Sequence, residues 1–597
     1  MLRISLVMMR THTCGQLGSQ NEGEEVTLCG WVHRRRDHGG VIFIDLRDRY
    51  GLTQIKFDPD INSDAHHRAE DLRSEWVVQV TGKVAARPQD MVNPKMDTGE
   101  IEVEIEEIKI LSEASPLPFE VDEEKRGEVR EGLRMKYRYL DLRKREMSEA
   151  LIRRHHFINS LKKYLAGLDF VEVETPALSK STPEGARDFL VPSRLHQGSF
   201  YALPQSPQQY KQMLMIAGLD KYFQVAKCFR DEDTRGDRQA EFTQLDIEMS
   251  FIDREDMLNI SEDMFTRAIK EVFPEKKIMF EPWKRLSYQE AMLRYGTDRP
   301  DLRFGLEIQD VTEKVRDCGF QVFSDAAANG GVVRAICAPG AAKFSRAEID
   351  ELTEYAQKLG AKGLAYIIVE EDNLRSPIIK FLGEELVWDI VREMEAQPGD
   401  IIFFGADQED TVCEVLANIR DRLGDKLELK DPDSLAIVFV VDFPMFVERT
   451  EEGYLVTSHH MFTSPMEEDM EMLDTEPEKA RCQQYDMVVN GVEAAGGSIR
   501  IHRRDIQEKV FQLIGFDEKK KEEFSHFLRA FDYGTPPHGG IASGLDRLLM
   551  VLLNKDSIRD VMAFPKTGDG RDLTMEAPGE VTDKQLKELG IELREEE

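Results

Sequence analysis

Little in this sequence could cross a membrane or be tied by disulfides. The longest purely apolar run, Leu435 to Val441, is seven residues, whereas a spanning helix needs about 20; so short a run reads as a buried strand. Seven cysteines (Cys14, Cys29, Cys228, Cys318, Cys337, Cys413 and Cys482) are scattered, odd in number and without a C-x-x-C pair. That excludes a zinc ribbon, argues against a disulfide scaffold and points to a reducing compartment. Met1 to Arg10 has too short an apolar stretch and no small-residue cleavage pattern for a signal peptide, and Met8 or Met9 could equally be the initiator; cytoplasm is the default expectation. Neither G-x-x-x-x-G-K-[ST] nor G-x-G-x-x-G occurs, so a nucleotide would have to be held by arginine and metal. Basic charge is also scarce. The 79 Lys+Arg stand against 113 Asp+Glu, a net charge of −34, which taken alone argues against a nucleic-acid partner.

What is present is a globular composition: 597 residues, 41% hydrophobic and 32% charged, room for about four domains. The acid is unevenly spread. Residues 576 to 597 hold eight acids and three bases, while residues 143 to 163 hold seven bases and two acids, so a local basic stretch lies on an acidic body. The expected fold class is α+β multidomain. Five short alternating strands between residues 24 and 112, with Gly and Asp/Asn turns, predict a small β-barrel of OB type over 1–112. A charged, Pro-containing linker is expected over 113–140. From Tyr139 the period becomes helical, with Phe157, Leu161, Tyr164, Leu165 and Leu168 on one face. Strand-rich segments over 141–290 and 431–597 then flank an inserted α+β domain at 291–430.

Three stretches carry chemistry. Tyr222–Arg230 and Phe242–Met249 read as two strands around a loop rich in Arg and acids, and Gln244, Asp246 and Glu248 share one face of the second strand. That row is either a cleft wall or a solvated hairpin face. Asn490-Gly491 is a strong two-residue turn. It pairs Val489 with Val492 and Val488 with Glu493, bringing Asp486 diagonally towards Glu493. Such a pair is either an exposed acidic patch or a sparse Mg²⁺ site completed by phosphates. In the third stretch, Gly539 to Leu549, a Gly-rich strand end feeds a helix whose first turn carries Arg547. Glycines there permit close approach of a ligand, and a helix N-terminus with a guanidinium suits phosphate.

Phe170 to Pro176, Phe229-Arg230-Asp231-Glu232-Asp233 and Gly544-Leu545-Asp546-Arg547 resemble, in order, motifs 1, 2 and 3 of the class II aminoacyl-tRNA synthetases. The resemblance narrows to the bacterial-type aspartyl-tRNA synthetases through Thr182 to Asp188, Gln205 to Gln208, Phe242 to Asp246, Tyr533 to His538 and Ala563 to Thr567, and it spans nearly the whole chain. It implies a ligase that joins aspartate to ATP and transfers the aspartyl group to tRNA, with Mg²⁺ but no zinc or organic cofactor, working as a homodimer built on residues 151–176. It places Arg230 on the α-phosphate and the substrate carboxylate, Glu232 and Gln239 at the adenine end, and Arg547 on the γ-phosphate. Asp231, Gly544, Leu545 and Asp546 complete the ATP set, and Asp486 and Glu493 hold the metal. For aspartate it implies Arg500 as a bidentate fork and Lys211 as a point charge. Asp246, Gln208 and Glu184 are the ammonium-side candidates, and His459 is a further substrate contact. Met461 and Ala495 depart from the family's usual Pro and Gly.

The barrel is expected to bind the anticodon, Phe43 and Gln54 by stacking and hydrogen bonding, Glu100 at the first base, and Arg34, Arg35 and Arg36 on the backbone phosphates; Phe43 as a core aromatic is the alternative. His38 marks family members that charge both tRNA(Asp) and tRNA(Asn), although Arg87-Pro88-Gln89-Asp90 lacks a second marker, a Gly soon after Arg-Pro. Competing readings are an asparaginyl-tRNA synthetase, disfavoured by the two cations Lys211 and Arg500, an enzymatically silent tRNA-binding paralogue, and an enzyme amidating free aspartate.

Overall fold

The computed structural model describes residues 9–122, 129–181 and 186–594, and the chain divides into two compact units, residues 1–148 and 149–597. In the first, β1 (Glu25–His38), β2 (Val41–Asp48), β3 (Gly51–Phe57), α1 (Ser63–Glu70), β4 (Val77–Ala86) and β5 (Ile101–Ser112) follow in turn. The strands close into a barrel of order β1-β2-β3-β5-β4, the five-stranded OB architecture expected from the sequence. Period-two alternation makes it. Val26, Leu28 and Val32 of β1 and Ile42, Ile44 and Leu46 of β2 are almost fully buried, each stabilising the barrel by about 1.5–3 kcal/mol. Residues 113–122 carry no helix or strand, and two short helices follow at Glu131–Lys136 and Arg138–Asp141.

The second unit is organised by an eight-stranded sheet. Its elements are α2 (Arg145–Gly167), β6 (Val171–Glu172), α3 (Gln208–Ile216), β7 (Lys221–Phe229), β8 (Glu241–Ser250), α4 (Arg254–Val272), β9 (Lys284–Ser287), β10 (Ile437–Val441), β11 (Gln484–Val489), β12 (Val492–Ile499), β13 (His538–Gly544) and α5 (Leu545–Leu552). The spatial order is β9-β10-β11-β12-β13-β8-β7-β6. The six inner strands are antiparallel to one another, and β6 and β9 add parallel edges. Helices α2, α4 and α5 cover one face, where Phe157, Leu161, Phe265 and Leu548 pack against Leu245, Ile247, Phe439 and Ile541. The run Leu435 to Val441 is buried throughout, as its composition requires. Asp253 starts α4 by accepting from the Asp256 N–H, and Asp256 returns the bond.

Between β9 and β10, residues 288–436 contain a second, five-stranded sheet. Its strands, in spatial order, are Ile308–Asp310, Val332–Ala338, Ile401–Asp407, Ala365–Val369 and Leu374–Arg375. Helices such as Arg346–Lys358 and Glu409–Lys426 accompany it, with separate cores on its two faces.

The basic stretch at 143–163 is not a free cationic surface. Arg143 pairs with Glu75 and Lys144 with Asp141; Arg153 pairs with Glu275, Arg154 with Asp546 and Lys162 with Glu172. Five of its seven bases thus have acidic partners within the fold.

Candidate active site

The face of the sheet away from α2, α4 and α5 carries a cavity of about 450 Å³. Its wall includes the polar face of β8. Gln244, Asp246 and Glu248 are buried and lie opposite Gly544, Ala542 and Gly540 of β13; the solvated-face reading is excluded. Small residues on β13 leave room for the acids. A Cβ on Gly540 would lie 1.9 Å from Glu248 Oε2 and 2.2 Å from the Ile247 carbonyl oxygen, and one on Gly539 would lie 2.6 Å from Ile499 Cδ1. These glycines therefore accommodate protein atoms, correcting the expectation of ligand approach, while Gly544 does border the cavity.

Four charges meet at the buried end. Lys211 Nζ stands 2.9 Å from Asp246 Oδ1 and 3.3 Å from Glu248 Oε2, all three side chains being fully buried. Arg500 donates Nε to Glu248 Oε1 (2.9 Å) and Nη2 to Glu248 Oε2 and the Gly540 carbonyl (both 3.2 Å). Its Nη1 donates to Ser498 Oγ and His460 Nε2 (both 2.6 Å). All five guanidinium N–H groups are engaged, and two cations balance two anions, the arrangement a buried ionic cluster requires. Burial pushes the Asp246 carboxyl up; burial also acts on Glu248, but Arg500 and Lys211 outweigh it and hold Glu248 below its ordinary value. Among the described residues Asp246 Oδ2 has no hydrogen-bond partner, and Asp246 borders the cavity, so one acceptor is unmet there, where the resemblance implies an ammonium.

Around this cluster Gln208 donates to Gln212 Oε1. His459 Nδ1 lies 3.1 Å from Thr463 Oγ1. Burial, then the charges of Arg500, Lys211 and Arg230, lower the His459 pKa to about 3, so its imidazole is neutral at pH 7. His460 is depressed further by burial and by its neighbours His459 and Arg500.

The open end holds the residues expected for a nucleotide. Arg230 lies over the Phe242 ring, 5.1 Å from its centroid, and its Nε has no partner among the described residues. Glu232 accepts from Arg238 (3.4 Å) and Gln239 Oε1 from the Lys566 N–H (2.9 Å). Arg547 reaches across the mouth, donating Nε to the Asp237 carbonyl (3.2 Å) and Nη1 to the Glu493 carbonyl (3.3 Å).

The β11–β12 hairpin keeps the expected pairs Val489 with Val492 and Val488 with Glu493, then slips by a bulge so that Asp486 faces Gly496. A Cβ on Gly496 would lie 3.1 Å from Asp486 Oδ1, 3.8 Å from Glu493 Oε1 and 3.9 Å from His459 Nε2, so both carboxylates border the space this glycine leaves. Burial, then the Glu493 charge, pushes the Asp486 carboxyl well up. Among the described residues no group of three or more His, Cys, Asp or Glu could hold a metal. Two carboxylates repelling across a cleft fit a cation whose other ligands are phosphates and water.

Several expected residues are placed elsewhere. Glu184 lies outside the described residues. Asp231 is exposed and outside the cavity wall. Leu545 is wholly buried in the core, so only its backbone could meet ATP. Asp546 borders the cavity, but both its carboxylate oxygens accept from the protein, from Arg154 Nη1 and the Thr243 N–H. The departures Met461 and Ala495 pack in apolar clusters beside the site. Glu248, His460 and Ser498 were not singled out from the sequence as site residues. Alternation did put Glu248 on the polar face, but no local signal names its partner, 252 positions away.

In the barrel unit, Gly39 and Gly40, both at positive φ, turn β1 into β2, with His38 opposite Val41 and Arg36 opposite Phe43. Phe43 is half-buried, outside the barrel core and edge-to-face with His38 at 6.5 Å, which rules out the core-aromatic reading. Arg36 grips Asp45 through both Nη atoms (2.8 and 2.6 Å) and reaches Gln54 Oε1 (3.2 Å), whose Nε2 donates to Glu102 (2.8 Å). Glu100 is exposed just before β5; it is Glu102 that meets Gln54. Arg34 forks onto Asp122 at 2.6 Å, and Arg35 donates to the Ala69 carbonyl, so both already serve the fold.

Residues 130–568 match the family model of tRNA synthetases class II (D, K and N), and residues 26–111 match that of the OB-fold nucleic acid binding domain. The chain is 52% identical over 585 residues to the aspartate--tRNA(Asp/Asn) ligase of Rubrobacter xylanophilus, covering 98% of this chain and 97% of that protein. It is 49% identical over 587 residues to the aspartate--tRNA ligase of Bacillus licheniformis, covering 98% and 99%. In fold it is similar to an asparaginyl-tRNA synthetase from Pyrococcus horikoshii solved with asparaginyl-adenylate, with a TM-score of 0.59, 20% identity, and 94% and 99% of the two chains covered.

Proposed function

The chain belongs to the class II tRNA synthetases of the D, K and N group, and from that premise we propose that it is an aspartate--tRNA ligase, charging tRNA(Asp) and also tRNA(Asn). The observation that carries the choice of amino acid is the Lys211–Arg500 pair at the buried end of the cavity. With its Nη groups turned to the substrate and Nε kept on Glu248, the Arg500 fork suits a side-chain carboxylate rather than an amide, and the unmet oxygen of Asp246 suits the substrate ammonium.

The reaction follows from the polarity of the cavity. With the aspartate side chain against Arg500 and Lys211, its α-carboxylate faces Arg230. An α-carboxylate oxygen attacks the α-phosphorus of ATP, the bond to the bridging oxygen of pyrophosphate breaks, and aspartyl-adenylate results. Arg230 aligns the α-phosphate with the attacking carboxylate and takes up charge there, while Arg547 holds the far end of the triphosphate. Mg²⁺, when held by Asp486 and Glu493, supplies further charge neutralisation to the phosphates. Neutral His459 can hydrogen-bond substrate without adding charge. A terminal ribose hydroxyl of tRNA then attacks the acyl carbon and AMP leaves. No protein base is required for the first step, since a carboxylate is already the nucleophile.

The barrel supplies the anticodon surface, with Phe43 as the stacking platform, Arg36 and Gln54 as hydrogen-bonding groups and Glu100 as a further contact. Charging of tRNA(Asn) rests on His38, exposed beside Phe43. We further infer a homodimer built on residues 151–176 and a cytoplasmic location, which the seven free cysteines suit. Aspartate-dependent ATP–pyrophosphate exchange tests the main reading. Its absence at saturating aspartate, with ATP still bound, overturns it. Charging assays on purified tRNA(Asp) and tRNA(Asn) test the second part, and failure to aspartylate tRNA(Asn) removes it.

A further inference from the structure

Asp546 occupies a junction that the chemistry above does not use. It is in the first turn of α5, next to Arg547, and its side chain is 3% exposed. One oxygen accepts from Arg154 Nη1 of α2 at 2.5 Å and the other from the Thr243 N–H of β8 at 2.7 Å. The β8–β13 ladder begins at Gln244 opposite Gly544, so Thr243 lies just past the point where β13 gives way to α5. The Asp546 carboxylate supplies an acceptor there in place of a strand. Arg154 also approaches the Val561 carbonyl at 3.5 Å. Arg547, by contrast, makes longer contacts among the described residues, to Asp237 and to the Glu493 carbonyl, so these bonds fix its direction weakly. The turn that projects it is held through Asp546.

We propose that Arg154 is a positioning residue for ATP, acting through Asp546 to fix the first turn of α5 and so the reach of Arg547 into the cavity. The Asp546 side chain is correspondingly a clamp between α2, β8 and α5 rather than a ligand of ATP. A carboxylate with one charged and one backbone donor in a nearly dry site is held far more firmly than the rim contacts of Arg547, and a displacement of about 1 Å at a positioning group can cost about 100-fold in rate. The inference rests on the proposed synthetase activity.

The test is aspartate-dependent ATP–pyrophosphate exchange with the full-length protein, its Arg154→Met and Arg154→Lys variants, and both changes repeated in an Arg547→Ala background. Arg154→Met is expected to raise KM for ATP or lower kcat by about tenfold or more, leave KM for aspartate within about twofold, and be largely rescued by Arg154→Lys. In the Arg547→Ala background it should add nothing, because the group it positions is gone. Equal losses for ATP and aspartate, an undiminished effect without Arg547, or full activity in Arg154→Met each overturn the proposal. If Arg154→Met fails to fold, Asp546→Asn, which keeps shape and loses charge, takes its place; unfolding of both assigns the cluster to stability alone and also overturns it. Absence of exchange in the unaltered protein would instead defeat the synthetase reading itself.

Discussion

Arg500→Lys keeps the charge and changes the geometry, which makes it the sharpest probe of the buried end of the cavity. Arginine directs five N–H groups at Glu248, Ser498, His460 and the Gly540 carbonyl. A lysine has three on one atom, so at least two of these acceptors lose their donor, at about 1–3 kcal/mol each when buried. The role assigned to Arg500 further requires its Nη groups to turn to the substrate carboxylate while Nε stays on Glu248. An ammonium cannot hold both carboxylates with a fork, and the loss of one charge-assisted bond, about 1.5–3 kcal/mol, corresponds to roughly 10- to 150-fold in kcat/KM for aspartate. The assay is ATP–pyrophosphate exchange over a range of aspartate at saturating ATP, with thermal unfolding in parallel. The expected result is a large fall in kcat/KM for aspartate, a KM for ATP within about threefold, and a lowered unfolding temperature. A variant that keeps its kcat/KM for aspartate refutes the assignment, and one that loses ATP and aspartate affinity together refutes the geometry behind it.

Gly540→Ala should abolish soluble, active protein, because the added Cβ meets Glu248 Oε2 at 1.9 Å and a carbonyl oxygen at 2.2 Å; normal yield and exchange activity would contradict the packing of Glu248. His538, pushed down to about 4 by burial, gains its proton near its ordinary value of 6.5 only on unfolding. Stability is therefore complete above pH 6.5 and falls as pH drops towards 4, by up to about 1.4 kcal/mol per pH unit. Thermal unfolding between pH 7.5 and 5 should show that slope added to the like contributions of His459 and His460, and His538→Gln should reduce the total; an identical slope in the variant removes His538 as a source. Asp486→Asn relieves the repulsion from Glu493 and should raise the Mg²⁺ needed for half-maximal exchange by about tenfold, roughly 1.4 kcal/mol of lost affinity, without lowering the unfolding temperature in EDTA. An unchanged Mg²⁺ requirement takes Asp486 out of the metal site.

Local patterns carried much of this. The five barrel strands are legible because buried and solvent-facing residues alternate, yet the parallel pairing of β3 with β5 is not, since it joins strands separated by a helix and β4. At the Asn490-Gly491 turn, with φ of +51° and +83°, residue types dictate the first two pairs; the bulge beyond them depends on how Ala494 and Ala495 pack in the core, which no turn signal encodes. Gly540 invited a ligand reading because glycine reports close approach without saying what approaches. Arg34 and Arg36 looked available for phosphates because Asp122 and Asp45, their partners, are chosen by tertiary structure. The same limit hid the partners of the 143–163 bases.

The two strands at one edge of the large sheet, β9 and β10, run parallel, and parallel neighbours cannot be joined by a tight turn; the chain must leave the sheet and return over a dozen residues or more. The five-stranded insert sits in that obligatory excursion. Growth or loss of sequence there changes the length of a detour the topology already demands, while β8, β11, β12 and β13, which carry the candidate site, keep their order and register. This edge is accordingly where lineages can vary a whole domain without retuning the reaction, and where an engineer could exchange one for another.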